Sequence, residues 1–233
     1  MLDGLRVLDL SDERGLLCGQ ILADLGADVI LIEPPSGSPA RRLGPFLGDA
    51  RDPERSLFFW SYARGRRGVV LDLESDEGRE RLRELARGAD FLIESWPPGR
   101  MRELGLDHES LARENPALIG VSITPFGQDG PKSGYAATDL IAMASGGPLY
   151  LTGDADRAPL RVSAPQAFHF AAAEAAMAAL VAHLERERSG LGQHVDVSAQ
   201  QALGLATLYR ILDAPWGQAP AERSSGGLQL GKL

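Results

Sequence analysis

Cysteine is almost absent from this sequence of 233 residues: Cys18 is the only one, so no disulfide can close within the chain. A lone thiol fits a reducing compartment such as the cytoplasm. Its place inside an apolar helical pattern makes it a buried structural group rather than a nucleophile. Positive charge is not in excess either. The net charge is −8, which gives no electrostatic basis for binding nucleic acid or an anionic membrane. A polyanionic ligand would need a local basic patch instead. Long apolar runs are missing as well. The amino terminus, Met1-Leu2-Asp3-Gly4-Leu5-Arg6-Val7, lacks the apolar stretch of a signal peptide. No segment approaches the ~20 uninterrupted apolar residues of a membrane span. The alanine-rich run from Ala171 to Ala182 is interrupted by Glu174 and reads as a packed helix. His183 and His194 have no metal-ligand spacing, so no metal site is expected. The stretch between Leu10 and Gly26 lacks G-x-G-x-x-G, which ranks a nicotinamide-dependent enzyme last, although Glu33 stands at a strand end. No internal repeat is found.

What remains is an ordinary globular composition, 44% hydrophobic and 24% charged. Apolar β-branched runs at 5–10, 28–32, 68–73, 91–94 and 118–123 read as strands. Helical spacing covers 16–25, 76–87, 100–103, 108–114, 138–145, 165–188 and 199–212, and 195–197 is either a short strand or the entry to the last of these helices. The segment from Pro34 to Ser56, rich in Pro, Gly, Ser and Arg, reads as a long surface loop. Strands alternating with helices predict an α/β fold: a Rossmann-like, open, mostly parallel sheet with flanking helices and ligands at the strands' carboxyl ends. One domain is expected over 1–212, followed by a Pro/Gly/Ser-rich tail over 213–233.

The most informative stretch is Gly120-Val121-Ser122-Ile123-Thr124-Pro125-Phe126-Gly127-Gln128-Asp129-Gly130-Pro131. A buried strand delivers a rigid turn at its end, and its glycines let a ligand approach the main chain. Four further segments accompany it. They are Leu22 to Glu33, Arg64-Gly65-Arg66-Arg67-Gly68-Val69-Val70-Leu71-Asp72-Leu73, Ala89-Asp90-Phe91-Leu92-Ile93-Glu94-Ser95-Trp96-Pro97-Pro98-Gly99, and Arg186-Glu187-Arg188-Ser189-Gly190-Leu191-Gly192-Gln193-His194-Val195-Asp196-Val197-Ser198. In this order and spacing they resemble the family III CoA-transferases, which include formyl-CoA transferase, carnitine CoA-transferase and the acyl-CoA racemases. The resemblance runs from about Leu5 to about Leu208. It covers the amino-terminal part of such proteins, so the second family domain and the return segment that closes an interlocked dimer are expected to be absent.

The resemblance implies transfer of CoA between an acyl-CoA and a carboxylic acid, with CoA as substrate and no permanently bound cofactor. In that chemistry an aspartate attacks the donor thioester and forms a mixed anhydride. The released CoA thiolate re-attacks to give an enzyme–CoA thioester, and the acceptor acid takes the CoA by the reverse steps. Counting back from the Arg186–Gln193 motif puts Phe168 in the nucleophile's position, and a phenyl ring cannot attack a thioester. No aspartate occurs between Arg157 and His194. His169, next to that position, and Glu174, ~9 Å further along the same helix, are weak replacements. The racemase histidine is also missing, because Thr138 precedes Asp139. The CoA-binding positions carry over better. Arg64, Arg66 and Arg67 are a candidate basic cluster for the CoA phosphates, with Arg41 and Arg42 as additional loop arginines. Leu71, in the strand read over 68–73, is a further candidate for CoA contact; Ser95, Trp96 and Pro97 fill the position where the family contacts CoA at a strand end, and Trp96 can stack on adenine. Phe126, Gly127 and Gln128 fall on the pantetheine path. A non-catalytic CoA-binding or scaffolding subunit that pairs with a complementary chain is the alternative reading. A homodimer or such a complex is expected, through close helix approach at Ala171, Ala172, Ala175, Ala176, Ala178 and Ala179 and exposed apolar surface at Leu203, Leu205, Leu208 and Tyr209.

Overall fold

The computed structural model describes residues 1–48, 50–208 and 223. The tail expected over 213–233, apart from Arg223, lies outside the described residues, as does Tyr209. Six parallel strands form one sheet in the order β3-β2-β1-β4-β5-β6. They are β1 (Arg6–Asp9), β2 (Asp28–Glu33), β3 (Arg67–Val70), β4 (Phe91–Glu94), β5 (Ile119–Thr124) and β6 (His194–Ser198). The helices are α1 (Leu16–Asp24), α2 (Leu57–Tyr62), α3 (Asp76–Ala86), α4 (Arg100–Glu103), α5 (His108–Ala112), α6 (Asp139–Ser145), α7 (Pro148–Leu151), α8 (Ala167–Ser189) and α9 (Ala199–Ala206). This is the doubly wound arrangement predicted from the alternation. The strand order reverses between β1 and β4, which opens a crevice there at the carboxyl ends.

Two interior strands, β4 and β5, are buried at every residue. That is why they read as continuous apolar runs: a parallel sheet is covered on both faces. The two faces have separate cores. Val7, Phe91, Ile93, Val121 and Ile123 pack against α1 and the alanines of α8, whereas Leu8, Ile32, Leu92 and Leu118 pack against Leu82, Leu104, Leu106 and Leu111.

Helix ends follow elementary capping. Ser75 accepts the Gly78 N–H at the start of α3, with Asp76 and Glu77 in the first turn, where negative charge suits the helix dipole. Helix α2 was not anticipated. Its six residues are too short for a period, and it emerges directly from the loop of 34–56, capped by the fully buried Ser56. Edge strand β3 ends at Val70, so Leu71 to Leu73 lie beyond the sheet and border the crevice.

By length and composition α8 could cross a membrane. It is a core helix instead: Ala171, Ala172, Ala175, Ala176, Ala179 and Ala182 are buried on the sheet. This corrects the expected helix-docking role for most of those alanines, since close approach is already used within the chain. Leu203, expected at the surface, is fully buried, whereas Leu205 and Leu208 are exposed as anticipated.

The Arg186–Gln193 motif is explained by the turn it builds. The buried Arg186 donates to the Asp90 and Ala117 carbonyls and pairs with Asp90 at 3.1 Å. Gly190 ends α8 in a left-handed conformation, and a Cβ on Gly192 would run into the Leu118 carbonyl.

Candidate CoA-binding site

Loops leaving the carboxyl ends of β1, β2, β3 and β4 surround a cavity of about 230 Å³. Its lining includes Ser11, Asp12, Glu33, Ser38, Leu71, Asp72 and Trp96. Leu71 and Trp96 both line this cavity. The indole of Trp96 donates to the Leu10 carbonyl at 3.3 Å, which fixes the ring as one wall. Ser95 is fully buried and bridges two loops: its Oγ accepts the Asp12 N–H at 2.9 Å and donates to Asp12 Oδ1 at 2.8 Å. Its hydroxyl shapes the crevice rather than facing into it. Pro97 and Gln128 line a second cavity, of about 540 Å³, on the other side of the loop following β4. Its floor includes Leu92, Glu94, Ser122 and His194. Phe126 meets Tyr135 edge-on at 6.3 Å. Gly127 adopts φ +89° and donates to Thr124 Oγ1 at 2.9 Å, so this glycine serves the turn itself.

The predicted basic cluster is not assembled at this crevice. Arg66 is 1% exposed at its side chain and paired with the fully buried Asp9, and it also donates to the carbonyls of Leu16 and Tyr62. Its Nε has no partner but is buried with the rest of the side chain, so the guanidinium is out of a phosphate's reach. Burial pushes the Asp9 carboxyl up, against the pull of Arg66 and of the hydrogen bonds from Ser11. Arg67 opens β3 and pairs with Asp28 at 2.6 Å, while Arg64 pairs with Asp24 at 3.1 Å, both toward the amino-terminal edge of the sheet. The loop after β2, which borders the crevice through Ser38 and Pro39, carries Arg41 and Arg42. Arg41 forks onto Glu33 at 2.6 and 2.8 Å. Burial raises the Glu33 carboxyl, but Arg41 and the Ser38 N–H outweigh it and hold it below its ordinary value. Glu33 is thereby committed and not open to a ribose. Arg42 is exposed and bonds only the Ser36 carbonyl among the described residues.

At the head of α8, Phe168 is 5% exposed and packs in the core. The helix start is held by Asp139, whose Oδ1 accepts the N–H groups of Gln166 and Ala167, both at 2.8 Å. His169 sits against Tyr62 and Phe58, at 4.7 and 6.4 Å between ring centroids. Burial lowers its imidazole below the ordinary value, against the pull of Asp139. Glu174 is half-buried and raised by burial. Neither is brought to the strand-end cavities. Cys18 is buried, and burial pushes its thiol up, so it is a packing group. Among the described residues no cluster of three His, Cys, Asp or Glu could hold a metal ion.

A family model for CoA-transferase family III matches residues 2–230. The chain is 42% identical over 202 residues to the succinyl-CoA:(R)-benzylsuccinate CoA-transferase subunit BbsE of Thauera aromatica, covering 86% of this chain and 49% of that protein. It is 38% identical to a succinyl-CoA:mesaconate CoA-transferase of Haloarcula hispanica, covering 87% and 52%. A CAIB/BAIF family protein from Brucella suis, known from its crystal structure, superposes with a TM-score of 0.89 at 35% identity, covering 95% of this chain and 59% of that one. The chain thus spans about half the length of the curated relatives it matches.

Proposed function

The chain belongs to CoA-transferase family III, and on that premise we propose that it binds a CoA thioester across the strand-end crevice. In this reading it is the CoA-binding part of an enzyme that moves CoA from an acyl-CoA to a carboxylic acid. The observation that carries the reading is the convergence of four strand-end loops on the β1/β4 switch point, with Leu71 and Trp96 as walls. Trp96 offers a flat apolar face to adenine. Arg42 is the guanidinium open to phosphate, where a planar fork suits an oxyanion. Pantetheine would pass Pro97 toward Gln128. CoA enters and leaves as substrate.

The covalent step needs a carboxylate that position 168 does not supply. Burial of Phe168 in the core supports a second reading, in which this chain is a CoA-binding or scaffolding subunit and a complementary chain brings the nucleophile. That the relative from Thauera is named as a subunit fits this arrangement. Titration calorimetry with CoA tests the binding reading, and mass spectrometry of the chain with acyl-CoA donors and carboxylic acids tests turnover. Expected are CoA binding and no acyl or CoA adduct on the protein. Turnover with a covalent adduct would demand a nucleophile on this chain, and no binding would remove the reading altogether.

A further inference from the structure

The CoA reading uses Trp96 and Gln128 but leaves unexplained the acid that joins them. Glu94 is the last residue of β4 and is 4% exposed. Its Oε2 accepts the Trp96 N–H at 2.6 Å, and its Oε1 accepts from Gln128 Nε2 at a longer 3.4 Å. Ser122, whose Oγ lies 2.8 Å from His194 Nε2, favours the ionised form of the carboxyl. The Gln128 N–H is fixed separately by Asp196 Oδ2 at 2.8 Å. One carboxyl therefore ties the loop after β4 to the loop after β5, beside the 540 Å³ cavity.

The tie depends on charge. An ionised carboxylate presents both oxygens as acceptors, one to Trp96 and one to Gln128. Protonation turns one oxygen into a donor, which cannot bond the Trp96 N–H or the Gln128 amide N–H that it faced as an acceptor. Bonds to the remaining acceptor drop from charge-assisted to neutral, roughly half as strong. We propose that Glu94 is a positioning residue for the CoA thioester: ionised, it holds the Trp96 and Gln128 loops in one arrangement, and protonated, it lets them part. This rests on the CoA reading above.

Groups from each neighbouring element act on the switch. Burial raises Glu94 to about 7, against Ser122 and the bond from the Trp96 N–H. Arg14, on the loop after β1, favours the charged form but is itself bonded to Asp12, and Asp196 of β6 opposes it. His194 of β6 stacks on His108 of α5 at 5.7 Å, and burial lowers the His194 imidazole. Asp107, Glu109, Asp129 and Arg102 line the same cavity.

The test is CoA affinity by calorimetry between about pH 5.5 and 8.5 on the full chain and on Glu94→Gln. The phosphates of CoA titrate alike for both proteins, so the ratio of affinities is the readout. We expect a ratio near one in acid that rises to about tenfold in favour of the unaltered chain above neutrality. Ser122→Ala removes a group that favours the ionised form, so it should move the midpoint to higher pH. A purely structural role would weaken binding equally at every pH. A flat ratio, or an unmoved midpoint in Ser122→Ala, overturns the proposal. If Glu94→Gln does not fold, the Ser122→Ala midpoint decides alone. If the unaltered chain binds no CoA at any pH, it is the CoA reading that falls, and the proposal falls with it.

Discussion

Arg66 and Asp9 lie 57 residues apart in the chain, and their pairing turns a candidate phosphate ligand into part of the core. Replacing Arg66 by alanine strands a buried carboxylate, and breaking such a pair typically costs about 3–5 kcal/mol. Chemical denaturation of Arg66→Ala should show a loss of that size. In Arg67→Ala the lost partner is the exposed Asp28, so the loss should stay below about 1 kcal/mol. CoA binding separates the arginines differently. Arg42→Ala should weaken CoA by about 1.5–3 kcal/mol and leave phosphate-free pantetheine unchanged, with Arg67→Ala changing neither. Glu94 adds a pH dependence to stability. Its folded value, about 7, stands above its ordinary 4.5. The folded state therefore keeps a proton in that window which the unfolded chain has released. Its contribution is fully present below about 4.5 and declines as pH rises, to be lost above about 7. The unfolding free energy should fall more between those limits in the unaltered chain than in Glu94→Gln, by about 3 kcal/mol. Equal slopes would assign the effect to other groups. At this scale the sequence was partly legible. Phe168 was picked out by counting back from the Arg186–Gln193 motif, and that count said nothing of its burial in the core. Arg66 was misplaced because a charge partner on another element leaves no mark in local sequence. Glu94 was quoted within a motif but not singled out, since nothing local says that a strand-end acid will be buried.

Elements were more legible than their junctions. Five of the strands were anticipated from apolar runs within a few residues, and β6 from a run of only three. Burial on both faces writes itself into sequence as unbroken hydrophobicity. The short α2 and α7 were missed, being held by Ser56 and by a proline start rather than by any period. Two substitutions test how elements are joined. In Gly192→Ala the new methyl meets the Leu118 carbonyl, so β6 must move off β5 or the turn must shift. Overpacking of this kind costs about 1–3 kcal/mol, measurable by denaturation. Asp139→Ala leaves two N–H groups at the head of α8 without their acceptor. A loss of about 1–2 kcal/mol is expected, as for other helix caps. A smaller loss would mean that water replaces the carboxylate.

At the scale of the whole molecule, the outward face of α8 carries Phe170, Met177, Val181 and Leu184, each between 45% and 65% exposed. These follow helical spacing and form an apolar stripe opposite the alanine face, as interface helices do. The chain should associate with itself or with a complementary chain through this stripe. Sedimentation equilibrium should show concentration-dependent association for the unaltered chain and a monomer for Val181→Glu combined with Leu184→Glu. A stable monomer for both would remove the interface. The fold class was legible at this scale because strand and helix alternate in order. The partner of the stripe was not, since exposure is decided by which face the alanines claim. The crevice itself has one further consequence. Strands β1 and β4 are neighbours in space, yet Asp12 and Ser95, which join their loops, are 83 residues apart in the chain. The sheet is thus two three-stranded halves that meet along one seam, and within the second half β5 and β6 pair over a comparable separation. Contacts closed over long loops form late, because their entropy must be met before they are rewarded. The seam and the β5–β6 pair are therefore the late contacts of assembly, and a ligand lying across the seam would act as a latch: its first kinetic signature is slower opening of the two halves, read as amide exchange along β1 and β4.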